Sequence, residues 1–175
     1  HAGYLLIALV SANSMGISGT LFYLLAYIFM NVGAFAIVIV LSHKNDEFIQ
    51  INDYAGLGFK HPLLAIAMTI FMFSMAGVPP MAGFVGKFYI FSAAIKSGYV
   101  VLAIIGVINS VISVYYYLRI TVIMYMKEPA REFTPLTLSP FIVAAIVISV
   151  IGTLQLGIFP SKVIEMAQQA TLILK

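Results

Sequence analysis

The stretch Ala76-Gly77-Val78-Pro79-Pro80-Met81-Ala82-Gly83-Phe84-Val85-Gly86-Lys87-Phe88-Tyr89 decides how this chain folds. It interrupts an apolar region that runs from Pro62 to Lys96. Two successive prolines remove backbone donors and push the residues before them away from helix. The region therefore reads as a helix broken around Gly77, Pro79 and Pro80. Between His61 and Lys96 the only ionisable side chain besides Tyr89 is Lys87, just past the break. A lysine at the centre of a membrane helix costs about 2.5–3.5 kcal/mol on insertion scales, while each Leu, Ile or Phe returns a few tenths. Leu or Met would serve packing better, so Lys87 is the first candidate for chemistry.

In a helix starting near Gly83, that glycine lies four residues before Lys87 on the same face, and Gly86 is its neighbour. Both are expected to leave room around the amine. Breaks at membrane depth are tolerated where the freed backbone groups face protein or a wet cavity. Burial penalises the charged form of an amine, so a lysine held there is suited to gaining and losing a proton. The alternative role is snorkelling to an interface. That role fits best if residues 62–97 form a hairpin of two short spans, and the sequence accommodates that hairpin as well as one discontinuous crossing.

Outward from the break, residues 18–42 run apolar and uncharged, about 37 Å of helix at 1.5 Å per residue. That exceeds the roughly 30 Å of a bilayer core. Residues 100–126 and 140–159 are further spans, residues 43–61 and 127–139 are charged loops, and residues 1–12 read as the tail of a helix begun upstream. Residues 160–175 suggest a short interfacial helix opened by Pro160. With 62% hydrophobic and 9% charged residues, the chain departs from the half-apolar, quarter-charged mix of soluble domains. The fold class is all-α, a polytopic transmembrane bundle whose first partner is the lipid bilayer. The net charge of +3 is spread without a dense basic run, so no nucleic-acid surface is expected. If residues 62–97 cross once, Lys44, Lys60, Lys127 and Arg131 lie on one side, against Lys96, Lys162 and Lys175 on the other, which favours placing the two charged loops in the cytoplasm.

The remaining polar residues are fewer. On span 100–126, Asn109, Ser113 and Tyr116 fall at helical spacing, Ser110 and Tyr117 form a neighbouring row, and Arg119 lies farther along. Such a stripe lines a hydrated path or mediates close helix packing. Asn31 is the strongly polar residue of span 18–42 and suits an interhelical hydrogen bond. There is no cysteine. No metal-ligand spacing, nucleophile triad or phosphate loop appears, so no metal site is expected.

Four segments in order carry a resemblance: His1-Ala2-Gly3-Tyr4-Leu5-Leu6, Tyr27 to Ala36, the Ala76–Tyr89 block, and Tyr115-Tyr116-Tyr117-Leu118-Arg119. Together they resemble the antiporter-like subunits of NADH–quinone oxidoreductase (respiratory complex I), of the N type, which is subunit 2 in mitochondria. The resemblance implies the second half of an inverted-repeat fold with a discontinuous helix, of which this chain holds only the C-terminal part. Lys87 would then be the lysine of the second broken helix, supported by Gly77, Pro79, Pro80, Gly83 and Gly86. Asn31 stands where sibling subunits carry a lysine. The implied activity is proton translocation driven by quinone reduction, within a multi-pass protein of the bacterial inner membrane. No cofactor is expected on this chain, because NADH, flavin, iron–sulfur clusters and quinone would bind elsewhere in the complex. The partners implied are the other membrane-arm subunits, siblings included. Two competing readings are a subunit of a multi-subunit cation/proton antiporter and a structural membrane-arm subunit with no proton path of its own.

Overall fold

One asparagine starts the longest helix. In the computed structural model, which describes residues 1–42, 50–129, 136 and 138–173, Asn13 is extended and its side-chain oxygen accepts the Gly16 N–H at 2.7 Å. This is the usual N-cap, satisfying a donor that the first turn leaves free. Helix α2 (Ser14–Leu41) therefore begins earlier than the expected span at 18. The Ser and Gly residues there serve packing instead of a turn, and the Ser18 and Thr20 hydroxyls bond back to Ser14 and Gly16 carbonyls at 2.8 Å. The Asn13 amide also donates to Ala93 O at 3.0 Å and to the Ser97 hydroxyl at 2.7 Å, tying this corner to the end of a later helix. Replacing Asn13 by Ala is expected to lower stability by about 1–2 kcal/mol, since cap and cross-link go together. A fall in the melting temperature of the detergent-solubilised protein checks this.

Helix α1 (Ala2–Val10) precedes that corner. After α2, residues 43–49 fall outside the described residues, as do 130–135, 137, 174 and 175. They include His43, Lys44, Asp46, Glu47, Arg131, Glu132, Pro135 and Lys175, on which much of the loop and topology reading rested. The described part of the first loop holds a 3-10 turn (Ile51–Tyr54) and a short helix α3 (Leu57–Lys60). They dock on the far end of helix α6 (Val100–Met126), where Gly58 packs on Tyr125 and Lys127 reaches Asn52 at 3.4 Å.

Residues 62–97 form two helices, α4 (Pro62–Ala76) and α5 (Ala82–Lys96), and their contacts with α2 settle how they are arranged. Gly33 meets Phe71, Gly86 meets Tyr23 and Gly19 meets Tyr89. As numbers fall along α2 they rise through α4 and α5, so both halves run antiparallel to it. The region is one discontinuous crossing, not a hairpin. Its break is well made. Gly77 adopts a left-handed φ of 88°, Val78 N bonds Phe73 O at 3.0 Å and Gly77 N bonds Ser74 O at 3.0 Å. That pair of bonds is the Schellman closure, which uses carbonyls the helix end would otherwise leave open. Across the gap, the Ser74 hydroxyl takes the free N–H of Gly83 at 3.0 Å. A Cβ on Gly83 would fall 1.9 Å from Ser74 O, so only glycine allows the two halves this close.

Helix α7 (Pro140–Ile158) and helix α8 (Ser161–Ile173) complete the bundle. Among the described residues, α2, α6 and α7 are long and apolar enough to cross a membrane, and α4–α5 adds the broken crossing. Helix α2 is the central post, touched by α1, α4, α5, α7 and α8, while α6 packs on α4 and α5. Lipid gives no hydrophobic drive between helices, so association depends on close packing of small residues against rings, as at Gly33 and Gly86. One finding departs from the sequence reading. Residues 160–175 were expected as an interfacial tail, yet Ile164 and Ala167 of α8 are buried and α8 packs along α2. Hydropathy averaged over this mixed segment hides its apolar stripe.

Candidate functional site

Lys87 sits in the first half of α5, buried to 4% exposure, with its amine turned back across the break. Its Nζ donates to Met75 O at 2.8 Å, Ala76 O at 3.1 Å and the Ser110 hydroxyl at 3.0 Å. Met75 and Ala76 close α4, so their carbonyls are among those a helix end leaves without intrahelical donors. They also carry the negative end of the helix dipole, about half an elementary charge. An ammonium has three donors, and here each has an acceptor. Hydrogen bonds to a charged group contribute about 1.5–3 kcal/mol each. Three of them offset much of the several kcal/mol that desolvating an ion costs. The Tyr4 ring adds a cation–π contact, 5.0 Å from Nζ to the ring centroid.

The room beside the amine is not where the sequence placed it. Gly83 faces Ser74 and Gly86 faces Tyr23, because α5 turns those residues toward α4 and α2. Gly77 is the residue against the amine, since a Cβ there would stand 3.2 Å from Lys87 Nζ. Pro79 and Pro80 form the connection itself, with a cis bond between them.

The polar stripe on α6 divides. Ser110, from the neighbouring row, is the residue that touches Lys87. Ser113 donates to Ser110 O at 2.6 Å, on the side of α6 that Lys87 reaches. Asn109 and Tyr116 instead line a cavity of about 470 Å³ between α1 and α6, together with His1 and Tyr4. Arg119 is exposed farther along α6 and does not join this group. The Asn31 amide donates to Tyr27 O at 2.8 Å within its own helix. It also lines a second cavity of about 290 Å³, with Tyr54, Met68, Met75 and Tyr117, on the loop side of the break.

Sequence reasoning missed a cluster next to Lys87. His1 bonds the Tyr23 hydroxyl through Nδ1 and the Tyr117 hydroxyl through Nε2 at 2.7 Å, with the rings of Tyr4 and Tyr27 packed around it. The signal was present as Tyr23 and Tyr27, one turn apart inside an apolar span. Tyrosines at that spacing read equally well as packing. Among the described residues, no group of three or more His, Cys, Asp or Glu is placed to hold a metal ion.

Comparison with known proteins agrees with this architecture. Residues 1–113 match the family model described as NADH:quinone oxidoreductase/Mrp antiporter, transmembrane. The chain is 53% identical to NADH-quinone oxidoreductase subunit N of Trichlorobacter lovleyi, over 97% of this chain and 35% of that protein. It is 47% identical to subunit N 1 of Solibacter usitatus, over 100% of this chain and 36% of the relative. It thus spans about a third of the length of these curated relatives. In structure it resembles a chain of respiratory complex I from Thermus thermophilus, with a TM-score of 0.82 and 33% identity, over 94% of this chain and 37% of that one. A chain of the Mrp complex from Dietzia sp. DQ12-45-1b shares the fold, with a TM-score of 0.80 at 21% identity, over 95% of this chain and 39% of that one.

Proposed function

The chain belongs to the NADH:quinone oxidoreductase/Mrp antiporter transmembrane family, and from that premise we propose that it forms the C-terminal, proton-carrying part of an N-type subunit of NADH–quinone oxidoreductase. In this reading Lys87 takes up and releases a proton within the membrane while quinone reduction in other subunits supplies the energy. The chain acts as part of a translocase and holds no redox centre. NADH, flavin, iron–sulfur clusters and quinone are bound by partner subunits of the complex. Its neighbours are the other membrane-arm subunits of a bacterial inner membrane. The observation that carries the reading is the Lys87 amine, buried in an apolar crossing yet held by three neutral acceptors at a helix break.

The chemistry follows from that setting. A carboxylate partner would hold the ammonium in place by charge. Here carbonyls, a hydroxyl and an aromatic face hold it by partial charges, so the proton can leave without separating an ion pair. Ser110 and Tyr4 are hydroxyls able to accept one proton while donating another. Ser110 bonds Lys87, Tyr4 lines the cavity that Asn109 and Tyr116 share, and the proposed route for the proton runs through the two. The test is Lys87→Ala in the full-length subunit within its complex, measuring protons moved per electron alongside quinone reduction. Loss of proton movement is expected, and undiminished coupled translocation would remove Lys87 from the mechanism. Ser110→Ala takes away one acceptor and is expected to slow proton transfer about tenfold, the scale of one hydrogen bond of about 1.4 kcal/mol. Proton-release kinetics in reconstituted vesicles check it.

A further inference from the structure

We infer that α7 and α8 together form a second discontinuous crossing, and that Gly157 in its first half is a positioning residue for the α4–α5 break. Helix α7 ends at Ile158 because Pro160 has no N–H with which to continue the ladder. Phe159 N still bonds Gln155 O at 2.8 Å, and Ile164 N takes Pro160 O at 3.0 Å to start the next helix. The chain then holds its course. Gly152 meets Phe29 in the middle of α2, whereas Gln168 and Thr171 share a cleft with Ser14 and Ser18 at its start. The α7–α8 line thus follows α2 antiparallel, in the same direction as α4 and α5.

Just before this second gap, α7 touches the first one. A Cβ on Gly157 would lie 2.2 Å from Pro80 O and 2.8 Å from Ala82 N. Both are backbone atoms of the α4–α5 connection, which cannot swing aside as a side chain does. Glycine at 157 is what lets α7 lie directly on that connection. The connection sets where the last carbonyls of α4 stand relative to Lys87 on α5. Through Gly157 the α7–α8 crossing holds the Met75 and Ala76 acceptors in register with the amine. The consequence for proton movement rests on the reading of Lys87 given above; the structural claim does not.

The test uses the full-length protein in its complex, with Gly157→Ala compared with Gly152→Ala. The control adds the same methyl group to the same helix, but it meets the Phe29 ring at 2.9 Å, a side chain that can shift. Amide hydrogen exchange of residues 74–88 is expected to rise about tenfold in Gly157→Ala, equivalent to about 1.4 kcal/mol of local stability, and to stay unchanged in Gly152→Ala. Protons moved per electron should fall in the first variant only. Unchanged exchange over 74–88 in Gly157→Ala overturns the inference. Faster exchange with undiminished proton movement supports Gly157 as a positioning residue and counts against Lys87 as the carrier. If Gly157→Ala fails to accumulate, Pro160→Ala serves in its place, since it adds no atom at the contact and allows α7 to run on into α8. Faster exchange over 74–88 is again expected there, and unchanged exchange overturns the claim.

Discussion

Replacing Lys87 by methionine is expected to leave a protein that inserts and assembles about as well as the parent while its proton flux falls about 10²-fold, the low end of what a positioned proton-transfer group contributes. The two effects separate because the costs differ. Exchanging a central lysine for an apolar side chain relieves about 3 kcal/mol on membrane insertion scales, and methionine fills an irregular gap readily. The loss is three hydrogen bonds and the Tyr4 cation–π contact. Two of those acceptors, Met75 O and Ala76 O, are left without these donors, because the Gly77 and Val78 N–H groups seal the Phe73 and Ser74 carbonyls instead, and each open carbonyl costs about 1–3 kcal/mol. The gain and the loss are of similar size, so a subunit whose only task was to hold its neighbours would tolerate the change. Measuring assembled complex in membranes beside protons moved per electron decides between a carrier and a scaffold.

Gly83→Ala should be the most damaging single methyl in the described part of the chain. Its Cβ would stand 1.9 Å from Ser74 O, and relieving that overlap means separating α4 from α5. Separation breaks the Gly83–Ser74 hydrogen bond and pulls Met75 and Ala76 away from Lys87. Overpacking of this kind costs about 3 kcal/mol, so a lower melting temperature and lost proton movement should appear together. Gly98→Ala makes a fair comparison. Gly98 has a φ of 83° but nothing within 4 Å of the added carbon, so its cost is the backbone strain alone, about 1–2 kcal/mol. A Gly83→Ala variant no less stable than Gly98→Ala would show that the gap is looser than its geometry indicates.

The elements that sequence made legible are those governed by composition over long stretches. The spans near 18–42, 100–126 and 140–159, the break at Pro79-Pro80 and the isolation of Lys87 follow from hydropathy and from the missing proline N–H. What sequence left dark depends on rotation about a helix axis. Asn109 and Ser110 differ by about 100° on α6, and hydropathy carries no phase fine enough to say which of them faces Lys87. The Asn13 cap was hidden in a run of Ser and Gly that reads as a turn. Gly157 was hidden in an ordinary apolar helix, since its role depends on a chain segment far away in sequence. His1 stayed unread because its partners Tyr23 and Tyr117 come from two other helices.

One count follows from the three bonds at Lys87. A neutral amine has two hydrogens and one lone pair, so it can no longer serve three acceptors. The two carbonyls can only accept. Ser110 alone is able to reverse, turning its hydroxyl to give a hydrogen to the nitrogen that formerly gave one to it. If the lysine gives up its proton as proposed, that event leaves its mark in the orientation of a single serine on the neighbouring helix.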